Sequence, residues 1–155
     1  MFLDNKKERR VLIMLKHSNR YAETLVKGED FLKDTRNKYR LISQRQYKGK
    51  PDKGIPAGVT VTLQIIEDNS EPVIDKATGQ EKDNNLFETF DATIVGVSYP
   101  LAFHKGDYVA LEEFKEEISY YINFNLILRF GGIRLLKAMN TQHNGGGNNV
   151  TGQTK

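Results

Sequence analysis

The 155-residue chain contains neither cysteine nor tryptophan, and it holds only three histidines and four prolines. Without cysteine there is no disulfide framework, no thiol chemistry and no thiolate zinc site. That composition suits a reducing compartment, so a cytoplasmic location is expected. His17, His104 and His143 stand singly, and none has a neighbour at metal-ligand spacing. Long apolar runs are missing too. Val11 to Leu15 and Leu126 to Leu128 fall far short of the ~20 residues that a membrane-spanning helix needs. The basic stretch Lys6-Lys7-Glu8-Arg9-Arg10 precedes too short an apolar segment, with no small-residue cleavage site, to read as a signal peptide. No glycine-rich phosphate loop opens a helix. Glu112, Glu113, Glu116 and Glu117 are better read as a charged turn than as an acid–base pair. An enzyme is therefore not expected, and neither is a cofactor.

What the chain does have is an uneven charge. Residues 1–57 carry 15 Lys/Arg against 7 Asp/Glu, whereas the remainder carries 8 against 13. Such asymmetry between halves points toward a polyanionic partner. The basic half contains the clearest structural signal. Tyr39, Leu41, Ser43, Arg45 and Tyr47 alternate with Arg40, Ile42, Gln44 and Gln46, which is the period of a strand. Lys48-Gly49-Lys50-Pro51-Asp52-Lys53-Gly54 is a cationic turn. A second strand follows from Gly58, with Val59, Val61, Leu63 and Ile65 on one face and Thr60, Thr62 and Gln64 on the other.

Further along, residues 67–85 form a long polar excursion that reads as a hairpin loop, with Pro72-Val73-Ile74-Asp75 extended. A third strand is expected over 86–97, a short connector over 98–106, and a fourth strand over 107–114. A turn near Lys115 precedes a fifth strand over 118–130, which Gly131-Gly132 should kink or bulge before residues 133–136 complete it. Helical spacing of Leu111, Phe114, Ile118 and Tyr121 leaves strand and helix both open over 111–121. Residues 1–37 read as an N-terminal extension in which Lys27-Gly28-Glu29-Asp30 is a turn and Val11 to Leu15 is either a buried strand packed on its own barrel or an arm. As an arm, within residues 1–15, it would make the chain a homo-oligomer by adding to a neighbour's sheet. Residues 140–155, rich in Asn, Gln, Gly and Thr, are expected to be disordered. The domain proper spans 38–139.

Single-stranded nucleic acid asks for cations that follow phosphates and for aromatic planes on which bases stack. Arg36, Lys38, Arg40, Arg45, Lys48, Lys50 and Lys53 supply the first. Tyr47, Phe90 and Tyr108 are the candidates for the second. Five strands around a small core, with glycine-marked bends, suit a mainly β, five-stranded Greek-key barrel of the OB-fold type, whose outer face binds oligonucleotides.

Three stretches add a resemblance: Glu88-Thr89-Phe90-Asp91-Ala92-Thr93-Ile94-Val95, Lys105-Gly106-Asp107-Tyr108-Val109-Ala110-Leu111-Glu112 and Phe130-Gly131-Gly132-Ile133-Arg134-Leu135-Leu136. They are similar to strand three, the start of strand four and the closing strand of bacterial single-stranded DNA-binding proteins. Phe90 stands where those proteins carry a stacking tryptophan. The chain has an added N-terminal extension, and its tail ends in Thr-Lys where theirs ends in an acidic, hydrophobic tip. It thus looks like a divergent accessory member of the sort carried by phages or conjugative plasmids. The resemblance implies a protein that binds single-stranded DNA, RNA being left open, with little sequence preference in replication or DNA transfer. The rival expectation is a protein-interaction or structural module of a phage or secretion assembly.

Overall fold

The computed structural model describes residues 15–139. The expected arm at residues 1–15, apart from Leu15, and the expected disordered tail at 140–155 lie outside that range. The described chain is mainly β. Strands β1 (Tyr39–Tyr47), β2 (Gly58–Ile65), β3 (Thr89–Val95), β4 (Tyr108–Phe114), β5 (Tyr120–Ile122) and β6 (Asn125–Lys137) form one sheet in the order β3-β2-β1-β4-β6-β5. A parallel pairing of β3 with β6, Ala92↔Leu128 to Ile94↔Phe130, brings the sheet back on itself. Five strands therefore run round a ring, β1-β2-β3-β6-β4, and β5 hangs from β6 outside it.

The core follows from the alternation of β2, β3 and β4. Val59, Val61 and Leu63 meet Ile94, Val109, Leu111 and Phe130, all of them buried. The seam between β1 and β4 is short, Tyr39↔Val109 and Arg40↔Tyr108 only. Asn37 extends it: its Nδ2 donates to the Leu111 carbonyl and its Oδ1 accepts from the Leu111 amide, each at 2.8 Å. The connector 98–106 covers one end of the ring. Gln44 turns inward to hold it, accepting from the Leu101 amide at 2.7 Å and donating to the Leu101 carbonyl at 3.3 Å.

Four expectations need correction. First, Lys27-Gly28-Glu29-Asp30 is not a turn. A short helix, α1 (Gly28–Asp34), stands there, with Phe31 and Leu32 packed on the core cluster and Val26 buried within it. The glycine that suggested a turn serves a close approach instead, because a Cβ at Gly28 would collide with the ring of Phe114. Second, 118–130 is not one strand. It reverses at Asn123-Phe124, two residues of positive φ (51° and 63°), so β5 and β6 form a hairpin. That two-residue loop has the signature of a type I′ turn. Third, β3 begins only at Thr89; Phe87, with φ 70°, still belongs to the loop. Fourth, Glu112↔Gly132 and Phe114↔Phe130 share one register on either side of Gly131, so no bulge lies there, and the register shift lies at Tyr108/Val109. Over 111–121, the strand ends at Phe114 and a 3-10 turn spans Glu116–Ile118.

The excursion between β2 and β3 is a pinned hairpin. Ile74 bridges Glu81, the Asn69 amide donates to the Asp34 carbonyl at 2.7 Å, and the Asn85 amide donates to Asp68 at 2.8 Å.

Candidate functional site

The alternation within β1 is not continuous, and this decides what the outer face presents. Tyr39 and Leu41 oppose Ile65 and Leu63 and point to the core. Between Leu41 and Ser43 the register against β2 slips by one residue, so Ser43, Arg45 and Tyr47 oppose Thr62, Thr60 and Gly58. A bulge of this kind inverts the facing of everything after it. Arg45 and Tyr47 consequently lie on the outer face beside Thr60, Thr62, Asp91 and Thr93. The same parity that buries Tyr39 exposes Arg45.

Over this face the β5–β6 hairpin and the loop between β1 and β2 enclose a groove of about 410 Å³. Its walls include Arg45, Tyr47, Lys50, Thr93, Tyr120 and Arg129. The loop is ordered: Lys50 and Ile55 exchange both backbone hydrogen bonds, and Ile55 is buried. Gly49 has φ 81°, and a Cβ there would press on the backbone of Ala57 and Ile55, so the tight reversal requires glycine.

The centre of the groove is Arg129. Thr93↔Arg129 register places it on the outer face of β6, yet it is only 3% exposed because tyrosines cover it. Its guanidinium carbon lies 5.6 Å from the Tyr47 ring centre and 5.3 Å from that of Tyr120, within cation–π range of both. Nη1 donates to the Ile118 carbonyl at 2.6 Å and Nη2 to the Tyr47 hydroxyl at 3.1 Å. Nε has no hydrogen-bond partner, and no ion pair of Arg129 occurs among the described residues. A buried guanidinium flanked by two rings, with an unpaired Nε and no counter-charge, is chemically suited to an anion. Lys50 adds to it, its Nζ donating to the Tyr120 hydroxyl at 3.5 Å. Arg45 is already neutralised: Nη2 meets Asp91 Oδ2 at 2.7 Å, while the Thr62 hydroxyl donates to Asp91 Oδ1 at 2.7 Å.

These neighbours act on tyrosine ionisation in opposite ways. Arg129 beside Tyr120, with Lys50, holds the Tyr120 hydroxyl below the usual tyrosine pKa, against the opposing effect of burial. Tyr39, buried in the core, is pushed up to about 12 by desolvation, which its bond to Thr35 only partly offsets. A spectrophotometric alkaline titration should therefore show one of the seven tyrosines ionising early and one late. Tyr120, with its folded pKa depressed, adds stability above its unfolded pKa, and that addition is lost as pH falls through the folded value. Tyr39, with its folded pKa raised, adds stability that is whole below about 10 and lost as pH rises towards about 12. Arg129→Met should move the early phase towards the ordinary tyrosine range, with Lys50 still acting on Tyr120, and leave the late one.

The ten expected site residues divide. Arg45, Tyr47 and Lys50 line the groove, and Lys48 and Lys53 stand exposed on its loop. Arg36 and Lys38 sit at the far end of β1 and share Glu67 as ion partner, at 3.4 and 3.9 Å. Arg40 lies opposite Tyr108 and lines a different recess with Lys105, Gly106 and Met139, so neither Arg40 nor Tyr108 joins the groove. Phe90 faces inward with Ala92 and Ile94, edge-on to Phe31 at 5.0 Å and to Tyr39 at 5.1 Å. Its ring is used in packing. Arg129 and Tyr120 were not among the expected residues, although a lone charge inside Leu126-Ile127-Leu128-Arg129-Phe130 was the available signal.

Among the described residues no group of three or more His, Cys, Asp or Glu is placed to hold a metal, and no helix is long and apolar enough to cross a membrane. No family model matches the chain, and neither a curated protein nor a solved structure is detectably similar to it.

Proposed function

We propose that the chain is an OB-type barrel that binds single-stranded DNA with little sequence preference, as an accessory protein of replication or DNA transfer. The observation that carries this reading is the groove around Arg129. A buried guanidinium with no counter-charge and an unpaired Nε calls for an anion, and two tyrosine rings beside it offer π faces. Lys48, Lys50 and Lys53 extend positive charge along the adjoining loop. Phosphate-directed cations and aromatic faces are the two components of sequence-tolerant single-strand binding. The fold supports it as well. The strand order around the ring, closed by parallel β3–β6 pairing, agrees with a five-stranded Greek-key barrel. In such barrels the face of strands two and three and the loops flanking it are where oligonucleotides bind. Here the flanking segments are the loop 48–57 and the stretch from 115 to 124.

Fluorescence anisotropy with labelled oligo-dT across a salt series tests the reading. Affinity should fall steeply with salt, with a slope of roughly 0.7 per neutralised phosphate. Replacing Lys48, Lys50 and Lys53 together by Gln should flatten that slope by about 2. An unchanged slope in the triple variant would remove the loop from the interface. Absence of binding at low salt would end the reading itself.

A further inference from the structure

The tip of the β5–β6 hairpin presents a contradiction that the fold itself does not resolve. A two-residue loop with positive φ at both positions favours Asn-Gly, and Asn123 meets that preference. Phe124 occupies the place of the glycine. A bulky side chain is disfavoured at its φ of 63°, and its ring is 94% exposed, so nothing is returned by burial. Backbone conformation and hydration both oppose phenylalanine here. Phe87 shares a positive φ and high exposure, but it lies before β3, and neither of its chain neighbours lines the groove. Phe124, by contrast, directly precedes Asn125 and Leu126, which line the groove along with Tyr120 from the other arm of the hairpin. The Lys50–Tyr120 contact ties that arm to the cationic loop.

We propose that Phe124 is a stacking finger, whose ring takes a base of the single strand while Arg129, Lys50 and the loop lysines take its phosphates. This rests on the nucleic-acid reading above and adds the residue that engages the base. The occupant follows from charge complementarity. The groove beside the tip is lined by Arg45, Lys50 and Arg129 against a single acid, Asp91, so its charge suits a polyanion, and an apolar ring next to its lining residues suits one that bears flat apolar groups.

Two variants of the full-length chain test it. Phe124→Gly installs the residue that the turn prefers, so its thermal midpoint should equal or exceed that of the parent. Its affinity for labelled oligo-dT should nevertheless fall roughly 5- to 150-fold, the loss of one stacked base, with the salt slope unchanged because stacking releases no counterions. Phe124→Trp uses the absence of any other tryptophan. It should keep a ring that can stack, and its fluorescence should be quenched on adding unlabelled oligo-dT. Parental affinity in Phe124→Gly, with an unquenched Phe124→Trp that still binds, would overturn the finger while leaving the groove reading intact. If the parent does not bind oligo-dT at all, both readings fall together. If Phe124→Gly instead lowers the mass of the DNA-free protein in light scattering, the ring joins two copies of the chain and the proposal is wrong.

Discussion

Phe90→Ala is expected to lower folding stability by about 2–4 kcal/mol, somewhat below the usual range for phenylalanine because the ring is only partly buried. The ring stands edge-on between Phe31 of α1 and Tyr39 of β1, at 5.0 and 5.1 Å. Removing it takes away the apolar area of the side chain and two aromatic contacts, each worth roughly 0.5–1.5 kcal/mol. The space left cannot close easily. Tyr39 is fixed by its hydroxyl bond to Thr35, and Leu63, across from Phe90 on β2, is held in the sheet. A thermal midpoint lower by on the order of 10 °C should result in a domain of this size. Oligo-dT affinity, measured well below the new midpoint, should be that of the parent. A stable Phe90→Ala protein with weakened binding would move the ring from the core to the interface.

The position of Phe90 shows how two kinds of sequence argument can disagree. Its parity with Ala92 and Ile94 points inward by alternation, whereas the family resemblance placed a stacking aromatic at that site. Packing follows the alternation, because the sheet has one apolar face and Phe90 lies on it. The loop between β1 and β2 was legible because Gly, Pro and Lys mark an exposed turn by their own chemistry. The bulge after Leu41 was harder to see, since no glycine marks it. Its only trace is that one parity changes from Tyr39 and Leu41 to Ser43 and Arg45. The β5–β6 reversal was hidden for a related reason. Asn123-Phe124 contains no Gly or Pro, and most residues on either side are aromatic or aliphatic strand formers, so the run read as continuous. Helix α1 has only seven residues and owes its place to Phe31 and Leu32 meeting a surface made by strands distant in sequence. Arg129 differs again. A charge in an apolar strand is visible in the sequence, but its environment comes from Tyr47 and Tyr120, which only the closed ring brings together.

Arg129 is where the largest effect on binding is expected. Arg129→Met keeps an unbranched apolar stem that ends near the position of Nε, and removes the guanidinium with its charge. The Ile118 carbonyl and the Tyr47 hydroxyl then lose their donor, at roughly 1–3 kcal/mol each. Against this, a buried cation without a counter-charge costs several kcal/mol, and that cost disappears. The opposing quantities are similar, so folding stability should change by no more than about 2 kcal/mol in either direction. Binding has no such offset. On the proposed reading, a phosphate in the groove would supply the missing counter-charge and an acceptor for Nε, and charge-assisted bonds of this kind are worth about 1.5–3 kcal/mol, roughly 10- to 150-fold in affinity. Arg129→Lys separates charge from geometry. It should keep the salt slope of the parent while losing affinity, because an ammonium cannot hold the two bonds and both ring faces at once. The Met variant should lose about 0.7 of slope as well. Thermal melts give an independent reading. At a hundredfold excess of oligo-dT over its Kd, the parent should gain about 2.7 kcal/mol. At the same oligonucleotide concentration Arg129→Met should gain far less. Equal affinity and equal ligand-induced stabilisation in parent and Met variant would make Arg129 a purely structural residue and leave the groove without its anion site.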